Sequence, residues 1–453
     1  MPEVKESKRM FCRICIIVAL FALVVNLFAG FCFGISRPIE SDGDYYLQLA
    51  QSLASGNGYK VTRGFWPEAP SMRRLPGWPA VVAAALKAAP GAHPDTLMRV
   101  LALLTNAAAA AAVCAMTVRI LRRTPPAFFA GIFYACHPEG IYYALNGFSE
   151  PLFILLVASG ITCLLPPLRL DDEVVPAGRS ADVLNRPSGI PVPFREISGG
   201  IILGCASLVR AGFAVWPLIV IGLVVLRRLA GKWRVDCTGR LPALTIALLI
   251  SFLPPLLWMQ RNYRVSGAFP VLSSLRGQTF YGGNNPVVAD DREYWGYWVF
   301  PDRIPGEIPM VELARTMSEH EVDRYYYNRG KDYVLKHARD YPGLLLGKLV
   351  RAYVPWPWHP TAGSVAVSVY RWMLYCGVLL GLCSFRQHRD TMYGIFLAAM
   401  LLTSVLTVLI FWGCARFAFA IEPFLLPPAA MPAVSIVARF KRFRRSRFPC
   451  TFS

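Results

Sequence analysis

Two carboxylates stand where the first long apolar run of this chain gives way to polar sequence, in Ser41-Asp42-Gly43-Asp44-Tyr45-Tyr46. A carboxylate can take a proton from a hydroxyl, and an ionisable group at the edge of a membrane segment is costly to hold without a use. If the pair faces outward, it stands where a lipid-borne substrate presents its head group. The plainer reading is a helix cap, since aspartate is a preferred N-cap residue. Charged residues recur at or within later apolar runs: Arg73 and Arg74, Glu150, Arg210, Arg261, Arg416 and Glu422. Each has a structural reading beside a chemical one. Arg73 and Arg74 suit interfacial anchors, Glu150 suits a helix start, Arg210 suits an ion pair, and Arg416 could pair with Glu422. Asn284 and Asn285, in Gly282-Gly283-Asn284-Asn285-Pro286, suit a turn. Neither His137 nor His359 has metal-ligand company at useful spacing.

These residues are positioned by a membrane chain. Of 453 residues, 55% are hydrophobic and 17% charged, where a soluble domain carries about a quarter charged. Apolar runs of spanning length recur. The net charge of +19 does not indicate nucleic acid, because the basic residues cluster in short segments flanking the apolar runs. The twelve cysteines lie mostly inside those runs and are expected to be buried thiols.

The basic patches set an orientation. Lys5, Lys8, Arg9 and Arg13 keep the N-terminus in the cytoplasm, and the first span, 14–35, carries Asp42 outside. Further spans are expected at 97–120, 127–143, 151–165, 241–259, 365–383, 392–412 and 423–437. The stretch 197–226 ends in Arg227-Arg228. Two helices broken near Arg210-Ala211-Gly212 put that patch inside, whereas one helix would put it outside. The expectation is an all-α polytopic membrane protein with about ten transmembrane helices and both termini cytoplasmic. An N-terminal module, 1–361, holds a first outer loop (36–96) and a long, mixed outer loop (260–361). The C-terminal part, 362–453, holds the last helices and a basic tail. In the first outer loop Tyr46, Leu49, Ala50 and Leu53 share one helix face, suiting an interfacial helix. The run 80–86 is too short to span and suits a second.

The chain then shows a set of motifs in order. They are Asp42…Tyr46, Gly56-Asn57-Gly58-Tyr59, Arg74-Leu75-Pro76-Gly77-Trp78-Pro79, Ser149-Glu150-Pro151-Leu152-Phe153, Leu208-Val209-Arg210, Arg261-Asn262-Tyr263, Gly283-Asn284-Asn285-Pro286 and Arg416-Phe417…Glu422-Pro423. That order resembles the GT-C membrane glycosyltransferases of the protein mannosyltransferase and aminoarabinose transferase superfamily. The resemblance implies a sugar carried on a polyprenyl phosphate and moved, with inversion, to an acceptor hydroxyl on the outer face. It makes Asp42 the candidate base and Asp44 the fallback. Arg74, Arg210, Arg261 and Arg416 become candidates for holding the leaving phosphate, with Glu150, Asn284, Asn285 and Glu422 around the substrate. No cofactor is required; the superfamily also admits a divalent metal ion. Partners are the lipid-linked sugar, membrane lipid and a glycan, lipid or protein acceptor, with no nucleic acid. The expected location is the inner or plasma membrane of the cell envelope. A transporter or flippase, or an assembly subunit of a polysaccharide pathway, is the alternative. Against a transporter, no internal repeat is seen and the acidic residues gather at one face.

Overall fold

A computed structural model describes residues 2–34, 37–166, 192–231, 241–268, 272–358, 361–385 and 392–432. Most of the loop 168–196, Lys232, Arg234, His359 and the basic tail from Arg439 lie outside the described residues. The described residues form helices and no strand, with one isolated antiparallel bridge, Lys60 to Pro70.

Helix α1 (Pro2–Phe33) leads into α2 (Asp42–Ala54), α3 (Gly77–Ala88) and α4 (Pro94–Leu121). Then come α5 (Thr124–Ala135), α6 (Pro138–Leu145), α7 (Glu150–Leu164) and α8 (Val192–Ser207). A 3-10 turn, Ala211–Val215, joins α8 to α9 (Trp216–Leu229), so the expected break beside Arg210 is present. Helices α10 (Leu241–Ile250) and α11 (Leu253–Ser266) together make one long apolar segment. The long loop holds α12 (Arg276–Gly282), α13 (Pro286–Asp290), α14 (Met310–Thr316), α15 (Glu319–Lys336) and α16 (Tyr341–Tyr353). Then follow α17 (Ala362–Phe385), α18 (Met392–Ile410), α19 (Ala415–Phe419) and a final helix, α20, over residues 422–432.

Among the described residues six helices are long and apolar enough to cross a membrane, or seven if the bent pair α6–α7 counts as one span. That is fewer than the expected ten: the last expected span, 423–437, lies partly outside the described residues, and part of the difference is local. The run 127–143 is not one helix. Pro138 disfavours helical backbone at the residue before it, and His137 caps a new helix by accepting from the Glu139 amide. Helices α5, α6 and α7 have only 12, 8 and 15 residues, where a span needs about 20.

The outer surfaces of the long helices are apolar: Phe31 on α1 is 87% exposed, as suits a side chain facing lipid. Where helices cross, small residues let backbones approach. Gly160 of α7 meets Gly199 of α8, and Gly200 meets Ala247. Polar side chains join α1, α4 and α5: Tyr134 Oη donates to Asn106 Oδ1 at 3.0 Å, and Asn106 donates to Asn26 at 3.1 Å. The cysteines divide. Cys114 is buried as expected, but Cys12, Cys32, Cys136 and Cys376 lie on exposed helix surfaces, because an apolar helix in lipid need not bury a thiol within protein.

Helix α2 buries Tyr46, Leu49 and Ala50 of the expected face, with Leu53 half-buried, but also Leu47, Gln48 and Ser52, so it is covered on more than one side; it packs on α3. The loop 36–96 and the long loop 260–361 are stitched together. Glu319, at the start of α15, accepts from the Met72 amide at 2.7 Å and from Ser71 and Ser274. Trp66 donates to the Met317 carbonyl at 2.9 Å. Ser318 and Glu321 close a capping box that fixes where α15 begins.

Candidate active site

Asp42 is the first residue of α2, and its carboxylate does not cap the helix. Both oxygens are taken by arginines. Arg74 pairs with Oδ1, and Arg416 Nη1 lies 2.8 Å from Oδ2. Arg416 Nε also pairs with Glu150, and Arg210 Nη1 stands 4.0 Å from the same Glu150 oxygen. Five charged side chains from five separate segments therefore form one chain of contacts: Arg74, Asp42, Arg416, Glu150, Arg210. The site draws Arg416 from beyond residue 361.

Local backbone explains how they converge. Gly43, between the two aspartates, presses against the Asn146 carbonyl, where a Cβ would sit 2.5 Å from the oxygen. That brings the start of α2 onto the segment leading to Glu150. Gly77 donates its amide to the Leu208 carbonyl at 2.9 Å, and a Cβ there would come within 2.8 Å of the same oxygen. That contact docks the Arg74 segment against the residues just before Arg210. Rings complete the walls. Tyr45 and Tyr46 lie 5.8 and 5.6 Å from the Arg74 guanidinium, Phe148 and Tyr143 lie 5.1 and 5.8 Å from Arg416, and Phe153 lies 5.6 Å from Arg210.

The electrostatics are lopsided. Three guanidiniums against two carboxylates leave one positive charge. Burial pushes the Asp42 carboxyl up, but Arg74 and Arg416 hold it down at about 2. Glu150 is almost fully buried, and its Oε2 has no hydrogen-bond partner; neither has Arg210 Nη1. Unmatched polar atoms are costly in a dry site and mark where a polar ligand gains most.

The remaining candidates go elsewhere. Asp44 faces outward, accepting from Gln48 Nε2 at 2.8 Å and Arg63 at 2.9 Å. Arg73 turns away from Arg74 and donates to Gln278 at 2.7 Å. Arg261 donates to the Ser71 carbonyl at 2.7 Å and lies over Trp258 and Tyr59; Tyr59 in turn donates to the Arg74 carbonyl. It stands one layer behind the cluster. Asn285 caps α13. Asn284 is wholly buried and accepts from Lys348 Nζ at 2.7 Å and Tyr341 at 2.8 Å, while donating to the Phe280 and Ile410 carbonyls. Burial pushes the Lys348 amine down to about 7.

Glu422 does not pair with Arg416. It accepts from Arg371 Nε at 2.6 Å and lies 2.8 Å from His137 Nε2, in a second buried cluster. Arg371 Nη2 reaches Glu139 there, also at 2.6 Å. His137, Glu139 and Glu422 bring ligand atoms within 4.8 Å of one another, so His137 does gain the company its sequence neighbours lack. Arg371 bridges both carboxylates and already supplies the cation. The group does not fit a metal centre as it stands.

An open cleft of about 590 Å³ in the long loop is lined by Tyr294, Tyr297, Trp298, Phe300, Asp302 and Arg303, among others. It connects to the cluster through a run of ring contacts: Trp298 to Trp412, tilted, at 6.0 Å, then Trp412 to Phe417, edge-on, at 5.3 Å, with Phe417 lying 5.9 Å from the Arg210 guanidinium.

The chain superposes on the archaeal oligosaccharyltransferase AglB from Archaeoglobus fulgidus, in complex with an inhibitory peptide and a dolichol-phosphate. The TM-score is 0.52 at 12% identity, over 99% of this chain and 53% of that one. The chain shares the fold of that part of the oligosaccharyltransferase. The Archaeoglobus fulgidus enzyme tethered to an acceptor peptide with the NVT sequon gives a TM-score of 0.50 at 12% identity, over 97% of this chain and 51% of that one. ArnT from Cupriavidus metallidurans, bound to undecaprenyl phosphate, gives 0.39 at 14% identity, over 95% and 78%. The chain spans about half the length of the oligosaccharyltransferase structures it matches. No protein-family model matches it, and neither does any curated protein. In this fold the five-residue cluster joins the loop 36–96 to the starts of α7 and α19 and to the residues after α8.

Proposed function

We propose that this chain is a membrane glycosyltransferase that moves a sugar from a polyprenyl-phosphate donor to an acceptor hydroxyl on the outer face of a cell membrane. The observation that carries the reading is the single surplus positive charge of a largely buried cluster. A phosphodiester-linked sugar brings one negative charge and neutralises it. The donor phosphate competes with Asp42 for Arg74 and Arg416, and Arg210 offers an unused Nη1 to the same group. Release from two guanidiniums raises the basicity of Asp42 when donor is bound.

In the reaction the acceptor hydroxyl gives its proton to Asp42 as its oxygen attacks the anomeric carbon. The bond from that carbon to the phosphate oxygen breaks, and the polyprenyl phosphate leaves with the electron pair. Its charge grows from one to two, and the arginines stabilise it. Attack opposite the leaving group inverts the anomeric centre. Asp44, on the outer rim, is Asp42's neighbour toward the acceptor. The long outer loop and its aromatic cleft select that acceptor, and the lipid tail stays in the membrane. Both termini lie in the cytoplasm.

The test is transfer of label from a radiolabelled polyprenyl-phosphate sugar to envelope material by the detergent-purified chain. Flux of the lipid-linked sugar across vesicles without transfer refutes the enzyme and favours a flippase. Sidedness is read from Asn57→Cys, an exposed position in the first outer loop, in a background without accessible thiols. It reacts with an impermeant reagent added outside; reaction only from the cytoplasmic side overturns the topology.

A further inference from the structure

Arg416 is the one residue of the cluster that bridges both carboxylates, yet the helix that carries it, α19, has only five residues. A helix that short has little stability of its own, so something else must fix it. The second buried cluster lies directly against it. Arg371 Nη2 donates to the Ala415 carbonyl at 2.7 Å, one residue before Arg416. The same guanidinium holds Glu139 and Glu422, which anchor it to α6 and to the start of α20. Glu139 accepts from Tyr143 Oη at 3.1 Å, and the Tyr143 ring flanks the Arg416 guanidinium. Phe419, at the far end of α19, packs edge-on against His137 at 4.8 Å and Tyr143 at 5.1 Å.

We infer that Arg371 is a positioning residue for the donor phosphate site, setting the place of Arg416 through the Ala415 carbonyl and the Glu139–Tyr143 contact. It touches no member of the first cluster and would not itself meet substrate. Its planar fork serves three acceptors at fixed angles, which the ammonium of a lysine cannot reproduce. This inference rests on the proposed function, because the group being positioned is one assigned to the donor phosphate.

The experiment measures binding of undecaprenyl phosphate to the full chain in detergent, for wild type, Arg371→Lys, Arg416→Lys and the double variant. Arg371→Lys is expected to weaken binding about tenfold, and Arg416→Lys by at least as much. If Arg371 acts through Arg416, the double variant binds within about twofold of Arg416→Lys alone, since contacts in one network are not additive. Wild-type affinity in Arg371→Lys overturns the inference. So does a double variant that loses the product of the two single effects, as an independent structural role would give. If Arg371→Lys does not elute as a folded species, Glu139→Gln is the second variant; it keeps an acceptor for Arg371 but not the charge. It is expected to weaken binding several-fold, and unchanged binding overturns the inference. Absence of binding by the wild type overturns the proposed function, and this inference with it.

Discussion

Asp42→Asn separates binding from chemistry, because the two should move in opposite directions. The substitution keeps the shape of the side chain and removes its charge, so the cluster goes from one surplus positive charge to two. A phosphate gripped by Arg74 and Arg416 would lie on the order of 5 Å from the carboxylate those arginines now hold, 2.8 Å from it in the case of Arg416. At an effective dielectric near 20, removing the Asp42 charge at that range is worth about 3 kcal/mol for each negative charge on the phosphate. Asp42 is about one-fifth exposed, which reduces this to about 1–2 kcal/mol, or roughly 5- to 30-fold tighter binding of undecaprenyl phosphate. Loss of the proton acceptor lowers transfer by about 10²- to 10⁴-fold. The folded chain also loses pairing. Lowering the Asp42 carboxyl from 3.8 to about 2 corresponds to about 2 kcal/mol at neutral pH, present above about pH 4 and lost as pH falls through about 2. A fall of a few degrees in melting temperature is expected, with the chain still folded at pH 7. The assays are equilibrium binding of undecaprenyl phosphate and sugar transfer in membranes that contain the acceptor. Weaker binding refutes the charge argument, and transfer at the wild-type rate refutes Asp42 as the base.

Two further outcomes follow from the surrounding contacts. Asn284→Ala removes the acceptor shared by Lys348 Nζ and Tyr341 and the donor to the Phe280 and Ile410 carbonyls, leaving Lys348 only the Leu409 carbonyl. It should cost about 1–3 kcal/mol of stability and leave undecaprenyl-phosphate affinity unchanged; a lost affinity at unchanged melting temperature would give Asn284 a place in the donor site. Burial holds the Lys348 amine at about 7 in place of 10.5, so between those values the unfolded chain holds a proton the folded chain lacks, and raising the pH favours the folded state. The melting temperature should climb from about pH 7 to pH 9.5, and Lys348→Met should flatten that rise; an unchanged slope in the variant assigns the rise to another group.

What the sequence made legible follows from the range of each interaction. The break at Arg210 could be read because the Arg227-Arg228 patch constrains which side of the membrane the chain reaches, and the structure has its 3-10 turn there. The buried face of α2 could be read because helical spacing is local. The kink at His137 and Pro138 was readable in principle, and the apolar character of 127–143 obscured it. Partners were not legible. Arg416 and Glu422 lie six residues apart and suggested a pair, but α20 begins at Glu422 and the carboxylate reaches Arg371 and His137, the latter 285 positions away. Arg416 instead meets Glu150, 266 positions away. Arg371 sits inside an expected span and meets the criterion that singled out Arg210, an ionisable group within an apolar run.

The two clusters together suggest why so many charges are kept at this boundary. The second is closed: its arginine has three acceptors, and both its carboxylates are bridged. The first is open: a guanidinium nitrogen and a carboxylate oxygen have no hydrogen-bond partner. A purely structural network would be expected to resemble the closed one, since a half-satisfied buried network is less stable than an apolar packing of the same volume. The difference is therefore informative. The unpartnered atoms belong to Glu150 and Arg210, beside Arg416, and the proposed phosphate group would bring Arg210 a partner.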